Sequence, residues 1–485
     1  MQDNQMNSRL VIGGRVVDAD SKATFPNVDP FTEQVIGDAQ DASVADVNAA
    51  ASAAEKALEE SNWSSDHRFR ARCIRQYQAA LLDHIEELRS ALVSEVGCPI
   101  FMTKGLQLEE PIRGLSWFAD LAETYAFESY MPPDNTTPPS KRLLIREPWG
   151  VCAIITPYNY PVQQYTTKVG PALAAGNSVI VKPSPLTPLT TYLMGKIAAE
   201  ETDIPPGVLN IITSSLAEVG AALVEHPSVR MISFTGSTAV GKQIMSSAAK
   251  GVKKVGLELG GKSANIVLDD ADIEAAVRAN IVRMSRFSGQ GCSNLTRLLL
   301  PRAAYAFGLE VAADACAKIV WGDPRNPKTH LGPQINREGQ GRCLRYVGIG
   351  LQEGGRLIAG GGVPKNASSG YFVEATVIAD LSPNSRVCQE EIFGPILVVL
   401  PFDSDEEAIQ IANNSIYGLA GSVQGSVDRA LAIAKKVKAG TMEINGASRQ
   451  APDTPFGGMK QSGLGRERGV VGFEEYLQLR VIAHH

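Results

Sequence analysis

The chain has 485 residues, of which 44% are hydrophobic and 20% charged, and its formal net charge is −6. This composition is typical of a globular protein and excludes the disordered and collagen-like classes. The negative charge gives no electrostatic reason to bind nucleic acid or an anionic membrane. No signal-peptide pattern and no membrane-length apolar run is visible, so we expect a cytoplasmic protein of about three domains.

The first third of the chain is predicted to be largely helical. An Ala-rich segment from Val44 to Glu59 follows Ser43, a good N-cap residue. The segment from Arg68 to Val96 has apolar residues at helical spacing and predicts an amphipathic helix. A Pro-rich stretch at 131–139 then precedes a strand candidate at 142–146.

The centre of the chain alternates between two kinds of segment. Short apolar runs at 152–155, 178–181, 208–212, 229–234 and 255–259 are separated by helix-length stretches. This alternation indicates βαβ units on a parallel sheet. A second region of the same kind runs from 262 to 455, and 476–482 is a last strand candidate. The predicted fold class is therefore α/β.

Seven cysteines lie far apart along the chain, without any CxxC pair. We therefore expect no disulfide framework, and no zinc or other metal site, because the histidines do not cluster with cysteines or acids either. Cys292 alone is flanked by small and polar residues, whereas the other six cysteines lie mostly in apolar or helical contexts. Its setting suits a reactive thiol.

Four short segments carry groups typical of a site: TPYNYP (156–161), GLELGGKS (256–263), GQGC (289–292) and EEIFGP (390–395). Taken alone, each is weak, because GQGC equally fits a turn around a buried thiol and Glu258 equally fits a surface acid at a strand end. The stretch 236–242 (GSTAVGK) fits the start of a phosphate-binding loop, but Gln243 stands where a magnesium-binding hydroxyl is needed. Nucleotide hydrolysis is therefore not predicted.

Together, in this order and spacing, the four segments resemble the aldehyde dehydrogenase superfamily over essentially the whole chain. The resemblance extends to KPSPLTP (182–188), FTGST (234–238), NNSIYGLAGSV (413–423) and PFGGMKQSGLGRERG (455–469). It implies a Rossmann-like cofactor domain (1–126 and 149–260), an α/β catalytic domain (261–455) and a small β bridging or oligomerisation element (127–148 and 456–485). A strand edge in that element favours a homodimer or homotetramer.

The chemistry of aldehyde oxidation agrees with the resemblance. A thiolate attacks the carbonyl carbon, and the resulting oxyanion needs fixed hydrogen-bond donors. The resemblance assigns the attack to Cys292 and the donors to the side-chain amide of Asn159 and the Cys292 backbone N–H. Loss of hydride to NAD(P)+ then leaves a thioester, and Glu258 matches the family's base for its hydrolysis.

Two other functions stay open at this point. One is a coenzyme A-acylating enzyme, although relatives of that kind lack the acid at the position of Glu258. The other is a non-catalytic relative that keeps the fold, although such a protein would be expected to have lost Cys292 or Glu258, and both are present.

The resemblance implies NAD or NADP as the cofactor. In the family, a lysine like Lys182 binds the adenosine ribose, and a glutamate three residues later disfavours a 2′-phosphate; here that position is Pro185. Lys182 and Ser184 are therefore also candidates to hold such a phosphate. No GxGxxG fingerprint is present, and Ser237 at a helix start is the expected pyrophosphate site. The implied cofactor residues are Ile155, Thr156, Pro157, Tyr158, Lys182, Ser184, Pro185, Gly220, Phe234, Gly236, Ser237, Leu259, Gly260, Glu391 and Phe393.

The physiological aldehyde is not resolved. The resemblance implies a tunnel for a small-molecule aldehyde, and its polar residues argue against a long alkyl chain. Arg449 fits either an anionic or polar substrate tail or a solvent-facing loop. Lys168 and Glu467 match family positions that support proton transfer to the base. The implied substrate residues are Tyr160, Gln164, Thr167, Arg449, Gln450 and Phe456.

Overall fold

The computed structural model describes residues 6–135, 137–448 and 450–485. Within these residues, the strands form sheets of eight, seven, three and two strands. The strands are β1 (Leu10–Ile12), β2 (Arg15–Val17), β3 (Thr24–Val28), β4 (Val35–Gln40), β5 (Glu128–Tyr130), β6 (Lys141–Pro148), β7 (Val151–Ile155), β8 (Ser178–Lys182), β9 (Leu209–Ile211), β10 (Val229–Thr235), β11 (Lys254–Glu258), β12 (Ser263–Val267), β13 (Leu295–Pro301), β14 (Arg356–Ala359), β15 (Thr376–Ala379), β16 (Ile396–Phe402), β17 (Ala420–Gln424), β18 (Thr441–Ile444), β19 (Gly463–Leu464) and β20 (Leu477–His484).

The helices of the described residues surround these sheets. Short 3-10 helices lie at Ile100–Lys104, Arg286–Gly289, Arg302–Ala304 and Lys460–Ser462. The α-helices are α1 (Val44–Glu60), α2 (His67–Asp83), α3 (Ile85–Val96), α4 (Glu109–Arg113), α5 (Leu115–Thr124), α6 (Pro161–Ala175), α7 (Pro188–Glu201), α8 (Ala217–Glu225), α9 (Thr238–Ala249), α10 (Ile273–Ser285), α11 (Tyr305–Ala317), α12 (Arg337–Gln352), α13 (Arg386–Gln389), α14 (Asp405–Asn413), α15 (Val427–Ala434) and α16 (Gly469–Glu474).

The N-terminal helices begin where the sequence predicts but are divided differently. Ser43 caps α1, and its backbone N–H donates to the Asp46 carboxylate at 2.8 Å, which completes a capping box. The segment predicted as one helix from Arg68 to Val96 is two helices that break at His84. The ring nitrogens of His84 contact Glu87 within the segment and Glu201 outside it, and both contacts stabilise the break.

The eight-stranded sheet runs in the order β19-β11-β10-β7-β8-β9-β1-β2, and β7 to β11 are mutually parallel. Successive side chains of β7 enter different cores: Cys152 and Ile154 pack with α2 to α7, whereas Val151 and Ala153 pack with α1, α8 and α9. Helices therefore cover both faces, which explains why these strands read as continuous apolar runs rather than alternating ones.

The seven-stranded sheet runs in the order β14-β15-β16-β13-β12-β17-β18. It is also buried on both faces, because Val398 and Leu400 of β16 join one core and Leu397 and Val399 join the other. This is the second α/β region that the sequence predicts.

A smaller sheet has the order β20-β6-β5 and brings the C-terminal strand beside residues 141–148. All eight residues of β20 pair with β6, from Leu477 opposite Pro148 to His484 opposite Lys141. The segment 456–485 also contributes β19 to the eight-stranded sheet, where Gly463 lies opposite Glu258. It therefore serves two sheets, and the division into domains stays a prediction.

The two large sheets meet end to end around one region. In the first sheet, the carboxyl ends of neighbouring strands align, with Ile155 opposite Lys182 and Thr235 opposite Glu258. In the second sheet, Cys292 comes shortly before the amino end of β13, and residues 390–395 come just before β16. Ligands bind outside the carboxyl ends of open parallel sheets, so the predicted motifs converge where a ligand is expected.

Candidate active site

The turn that carries Cys292 has an unusual backbone. Phe287, Ser288 and Gly289 have φ values of 50°, 52° and 73°, a left-handed run just before the cysteine. Such a conformation costs free energy for a bulky residue, and it persists only where the surroundings hold it. The ring of Phe287 packs edge-to-face on Tyr160 at 5.7 Å, which stabilises the turn. Asparagine adopts a left-handed backbone more readily than a bulky residue does. The conformation of Phe287 therefore depends on its packing against Tyr160.

Asn159 lies in the loop between β7 and α6 and reaches the same turn. Its side-chain nitrogen donates to the Gln290 carbonyl at 2.9 Å, and its own carbonyl accepts from the Gln107 side chain at 3.0 Å. Gln290 is itself buried, and its amide oxygen accepts from the Ile335 N–H. The Asn159 amide is thus fixed within two residues of Cys292.

Two glycines bring the separate motifs into contact. A Cβ atom at Gly261 would lie 2.5 Å from the Cys292 carbonyl oxygen, and one at Gly260 would lie 2.5 Å from a Glu391 carboxylate oxygen. The Gly261 N–H donates to Glu391 at 2.9 Å. A side chain at Gly261 would meet backbone, and one at Gly260 would displace the Glu391 carboxylate from its bond to the Gly261 N–H.

Glu258 ends β11 and is 4% exposed. Neither carboxylate oxygen has a hydrogen-bond partner among the described residues, and a Cβ atom at Gly457 would lie 2.8 Å from one of them. Burial raises the pKa of Glu258 to about 8, and the nearby Lys168 opposes this by lowering it. A buried carboxyl with unused acceptors and a pKa near neutrality has the properties of a general base.

Lys168 on α6 interacts electrostatically with both Glu258 and Cys292. Its side chain is fully buried and forms an ion pair with Glu467. Burial lowers the pKa of Lys168 to about 7, whereas the charges of Glu258 and Cys292 raise it. The sequence predicts Lys168 and Glu467 as a relay, and the structure brings them into direct contact beside the predicted base.

The other six cysteines have the environment of inert thiols. Burial raises the pKa of Cys73, Cys98, Cys316 and Cys343 to about 12, and it also raises that of Cys152 and Cys388. Only Cys292 and Cys316 are partly exposed, and only Cys292 lies in the cleft with the predicted substrate residues. No disulfide joins any of the seven.

A groove of about 900 Å³ between α8 and α9, which we call the cofactor cleft, collects five of the predicted cofactor residues. Ser237 caps α9 by accepting from the Val240 N–H, so the start of this helix faces the same region. Ser184 is not among the residues that line the cleft, and its hydroxyl oxygen accepts from the Leu186 N–H at 3.2 Å. The five predicted residues are Ile155, Lys182, Pro185, Gly220 and Phe234.

The remaining predicted cofactor residues lie in or beside the loops between the two large sheets. Tyr158 packs edge-to-face on Phe393 at 6.0 Å, and Phe393 has a φ of 60°. Burial raises the pKa of Glu391 to about 7. The Thr156 hydroxyl is buried without a partner among the described residues. This unused donor fits a ligand rich in hydroxyl and phosphate groups, and so does the Lys182 ammonium, which bonds to two backbone carbonyls. Pro157 is half-buried, and Gly236 and Leu259 directly follow the carboxyl ends of β10 and β11.

A second groove, the substrate cleft, leads to Cys292 and has a volume of about 1110 Å³. It is lined by four of the predicted substrate residues, Tyr160, Gln164, Gln450 and Phe456. Thr167 instead lines a smaller adjoining cavity with Phe118, and its hydroxyl donates to the Gln163 carbonyl at 2.9 Å. The prediction for Arg449 lies outside the described residues.

The substrate cleft contains charged residues that the sequence analysis missed. Arg283 forms an ion pair with Glu443, Arg468 donates to the Gln450 side chain at 2.9 Å, and Arg286 also lines the wall. Arg286 lies six residues before Cys292, so its position in the nucleophile segment was the available signal. Glu443 lies on β18, far away in sequence, and no motif marks it.

Two further features bear on other functions. Within residues 6–135, 137–448 and 450–485, no three His, Cys, Asp or Glu side chains come together as a metal ion would require. Across the same residues, no helix combines the length and the apolar character needed to cross a membrane.

Comparison with known proteins adds independent information. Residues 16–482 match the model of the family described as "Aldehyde dehydrogenase family". A 3-succinoylsemialdehyde-pyridine dehydrogenase of a Pseudomonas species is 39% identical over 461 residues, 94% of each chain. A putative aldehyde dehydrogenase of Staphylococcus epidermidis is 38% identical over 481 residues, 98% of each chain.

Solved structures give the same result. Aldehyde dehydrogenase C of Pseudomonas syringae, as a cysteine-to-alanine mutant with NAD+ and octanal, has a TM-score of 0.93 and 37% identity over 98% of this chain and 96% of its own. Betaine aldehyde dehydrogenase of Staphylococcus aureus with NAD+ has a TM-score of 0.94 and 35% identity over 98% of this chain and 94% of its own. These matches confirm the predicted α/β class and the resemblance carried by the motifs.

Proposed function

The chain belongs to the aldehyde dehydrogenase family and is an NAD(P)-dependent aldehyde dehydrogenase, and we propose that Cys292, Asn159 and Glu258 carry out its reaction. The product is the free carboxylic acid. The cofactor cleft and the loops between the large sheets are assigned to NAD(P)+, and the substrate cleft to the aldehyde.

The first step is attack of the Cys292 thiolate on the aldehyde carbon. A C–S bond forms, and the carbonyl π electrons move to oxygen, which gives a tetrahedral oxyanion. Asn159 supplies a donor that is already fixed next to the nucleophile turn, and the Cys292 N–H supplies the second. Fixed donors need no reorganisation as the charge develops, which is why they lower the barrier.

When bound, the nicotinamide accepts the hydride that leaves the tetrahedral carbon, and a thioester on Cys292 remains. Glu391 and Phe393 lie in the loop before β16 and are assigned to the nicotinamide end, where Gly260 and Gly261 let the carboxylate approach closely. Lys182 and Gly220 are assigned to the adenosine end.

The last step is hydrolysis, with Glu258 as the base. It removes a proton from water while the water oxygen attacks the thioester carbon, and the Cys292 thiolate leaves. The observation that carries this assignment is the Glu258 carboxylate itself, buried and without a hydrogen-bond partner among the described residues. Lys168 and Glu467, paired beside it, are assigned to proton transfer away from the base. A coenzyme A-acylating enzyme has no need of such a base.

The experiment tests a panel of aldehydes with NAD+ and NADP+ in separate assays. The absorbance of the reduced nicotinamide measures turnover. We expect turnover that needs no coenzyme A and yields the free acid. Cys292→Ala is expected to abolish turnover, whereas Cys316→Ala, at the other partly exposed cysteine, retains it. Unchanged turnover in Cys292→Ala, or a product that requires coenzyme A, would contradict the proposal.

We also propose an assembly and a location for this enzyme. The outer edge of β20 is unpaired within the described chain, and Leu479 and Val481 on it are 69% and 53% exposed. An apolar strand edge favours pairing with a second copy, so we propose a homodimer or homotetramer. The absence of disulfides among the described cysteines supports a reducing compartment such as the cytoplasm.

A further inference from the structure

The cofactor cleft has a simple charge balance. Among the described residues that line it, Lys182 is the only charged one. Its ammonium group lies near the Ser214 carbonyl oxygen, at 3.1 Å, and burial lowers the pKa of Lys182 to about 8. Pro185, three residues further along the same wall, contributes no charge and no N–H.

A carboxylate nevertheless lies just behind this wall. Asp41 follows β4, far from the cleft motifs in sequence, and is 7% exposed. It accepts hydrogen bonds from the Ser214 hydroxyl at 2.7 Å, the Ser215 hydroxyl at 2.6 Å and the Ser215 N–H at 2.9 Å. Burial raises the pKa of Asp41, but the hydrogen bonds from the two serines and the charge of Lys182 together lower it, so it is ionised.

This arrangement fixes what Ser215 presents to a ligand. A serine hydroxyl has one proton, and Ser215 donates it to Asp41. The Ser215 oxygen, which lines the cleft, therefore offers only lone pairs to a bound molecule. It accepts a hydrogen bond from a ribose hydroxyl and repels a phosphate oxygen, which is also an acceptor.

The net charge at this wall of the cofactor cleft also disfavours a bound 2′-phosphate. The Asp41 carboxylate offsets the Lys182 ammonium, so a 2′-phosphate would find no excess positive charge at this wall. Ser184, the other hydroxyl predicted to hold such a phosphate, does not line the cleft. A carboxylate near the adenosine ribose is a general device for selecting NAD over NADP.

We propose that Asp41, acting through Ser215, makes this enzyme select NAD+ over NADP+. Asp41 thereby supplies the carboxylate that is missing at position 185, where the family has a glutamate and this chain has Pro185. It rests on the proposed function in one respect, that the cofactor cleft holds the adenosine end of NAD(P)+. Ser215 is the contact residue, and Asp41 is the residue that positions its proton and sets the local charge.

The test is equilibrium binding of NAD+ and NADP+ to the full-length protein without aldehyde, measured by isothermal titration calorimetry at fixed ionic strength. We expect the wild type to bind NAD+ at least about tenfold more tightly than NADP+, because like charges placed close together are strongly unfavourable. In Asp41→Asn this ratio should fall about tenfold, since the charge is removed and Ser215 is free to reorient. Asp38→Asn, which removes an exposed acid on the preceding strand, is the matched control and should leave the ratio unchanged.

Ser215→Ala provides the second variant, in case Asp41→Asn does not fold. It keeps Asp41 but removes the acceptor, so NAD+ binding should weaken by about fivefold, the size of one hydrogen bond, while NADP+ binding changes less. Equal wild-type affinities, or a ratio within twofold of wild type in both variants, would overturn the inference. Because binding is measured without turnover, an inactive protein that still prefers NAD+ would refute the proposed function alone.

Discussion

The pH dependence of the hydrolytic step follows from the burial of Glu258. A base acts only when it is deprotonated, and burial raises the pKa of Glu258 to about 8. At pH 7 about one tenth of the enzyme then carries the charged form, so deacylation should rise roughly tenfold between pH 7 and pH 9. Glu258→Gln removes the base and is expected to slow steady-state turnover by about 10²–10⁴-fold.

The assay is rapid mixing of enzyme, NAD+ and aldehyde. Because the hydride leaves before hydrolysis, Glu258→Gln should still produce a burst of about one reduced nicotinamide per site and then nearly stop. The alkaline rise in the steady-state rate should disappear in this variant. At pH 8 the buried Glu258 acid disfavours the folded state, whereas glutamine carries no charge. The melting temperature of Glu258→Gln at pH 8 should therefore be no lower than that of the wild type. Loss of the burst together with turnover would refute the assignment of Glu258 to hydrolysis.

Lys168 provides a second perturbation of the same group. Its positive charge lowers the pKa of Glu258, so Lys168→Met should move the rise in rate to higher pH. The matched control is Lys196→Met, at a half-buried lysine of α7 that pairs with Glu200 at 4.0 Å. A shift to lower pH in Lys168→Met, or an equal shift in the control, would show that the electrostatic reasoning is wrong.

Three further predictions concern other parts of the molecule. Asn159→Ala should reduce the acylation rate by about 10²–10³-fold with little change in NAD+ binding, measured by single-turnover kinetics and calorimetry. Pro185→Glu adds a carboxylate to the cofactor cleft and should weaken NADP+ binding relative to NAD+ by about fivefold in the same titrations; an unchanged ratio would contradict the role given to this wall. Val481→Glu should yield a smaller species by size-exclusion chromatography with light scattering, and an unchanged mass would remove β20 as the interface.

The sequence predicts the parallel strands well because each is buried on both faces. The apolar run at 152–155 is too short for a helix, and the structure confirms a strand at Val151–Ile155. The division of the segment 68–96 at His84 could not be predicted, since it depends on an acid at position 201 that reaches the ring from α7. Local periodicity contains no information about such a contact.

The nucleophile turn shows another limit. The sequence identifies Cys292 by its small and polar neighbours, but it gives no sign of the backbone conformation at Phe287. The structure gives Phe287 a left-handed backbone that bulky residues rarely adopt, held by packing on Tyr160. That packing partner is more than a hundred residues away in the chain, so no local rule predicts the conformation.

The sequence alone leaves the cofactor preference open, because Pro185 stands where the family has its selecting glutamate. With proline at 185, a local motif predicts the loss of a carboxylate and permits a 2′-phosphate. In the structure, the charge beside Lys182 comes from Asp41, on a different element, through two serines that follow β9. Selection against phosphate depends on the total charge and on the direction of hydroxyl protons at the wall, and several elements contribute to both. The same net charge can therefore be reached from different positions in the chain, and the loss of a motif residue does not by itself imply the loss of the preference.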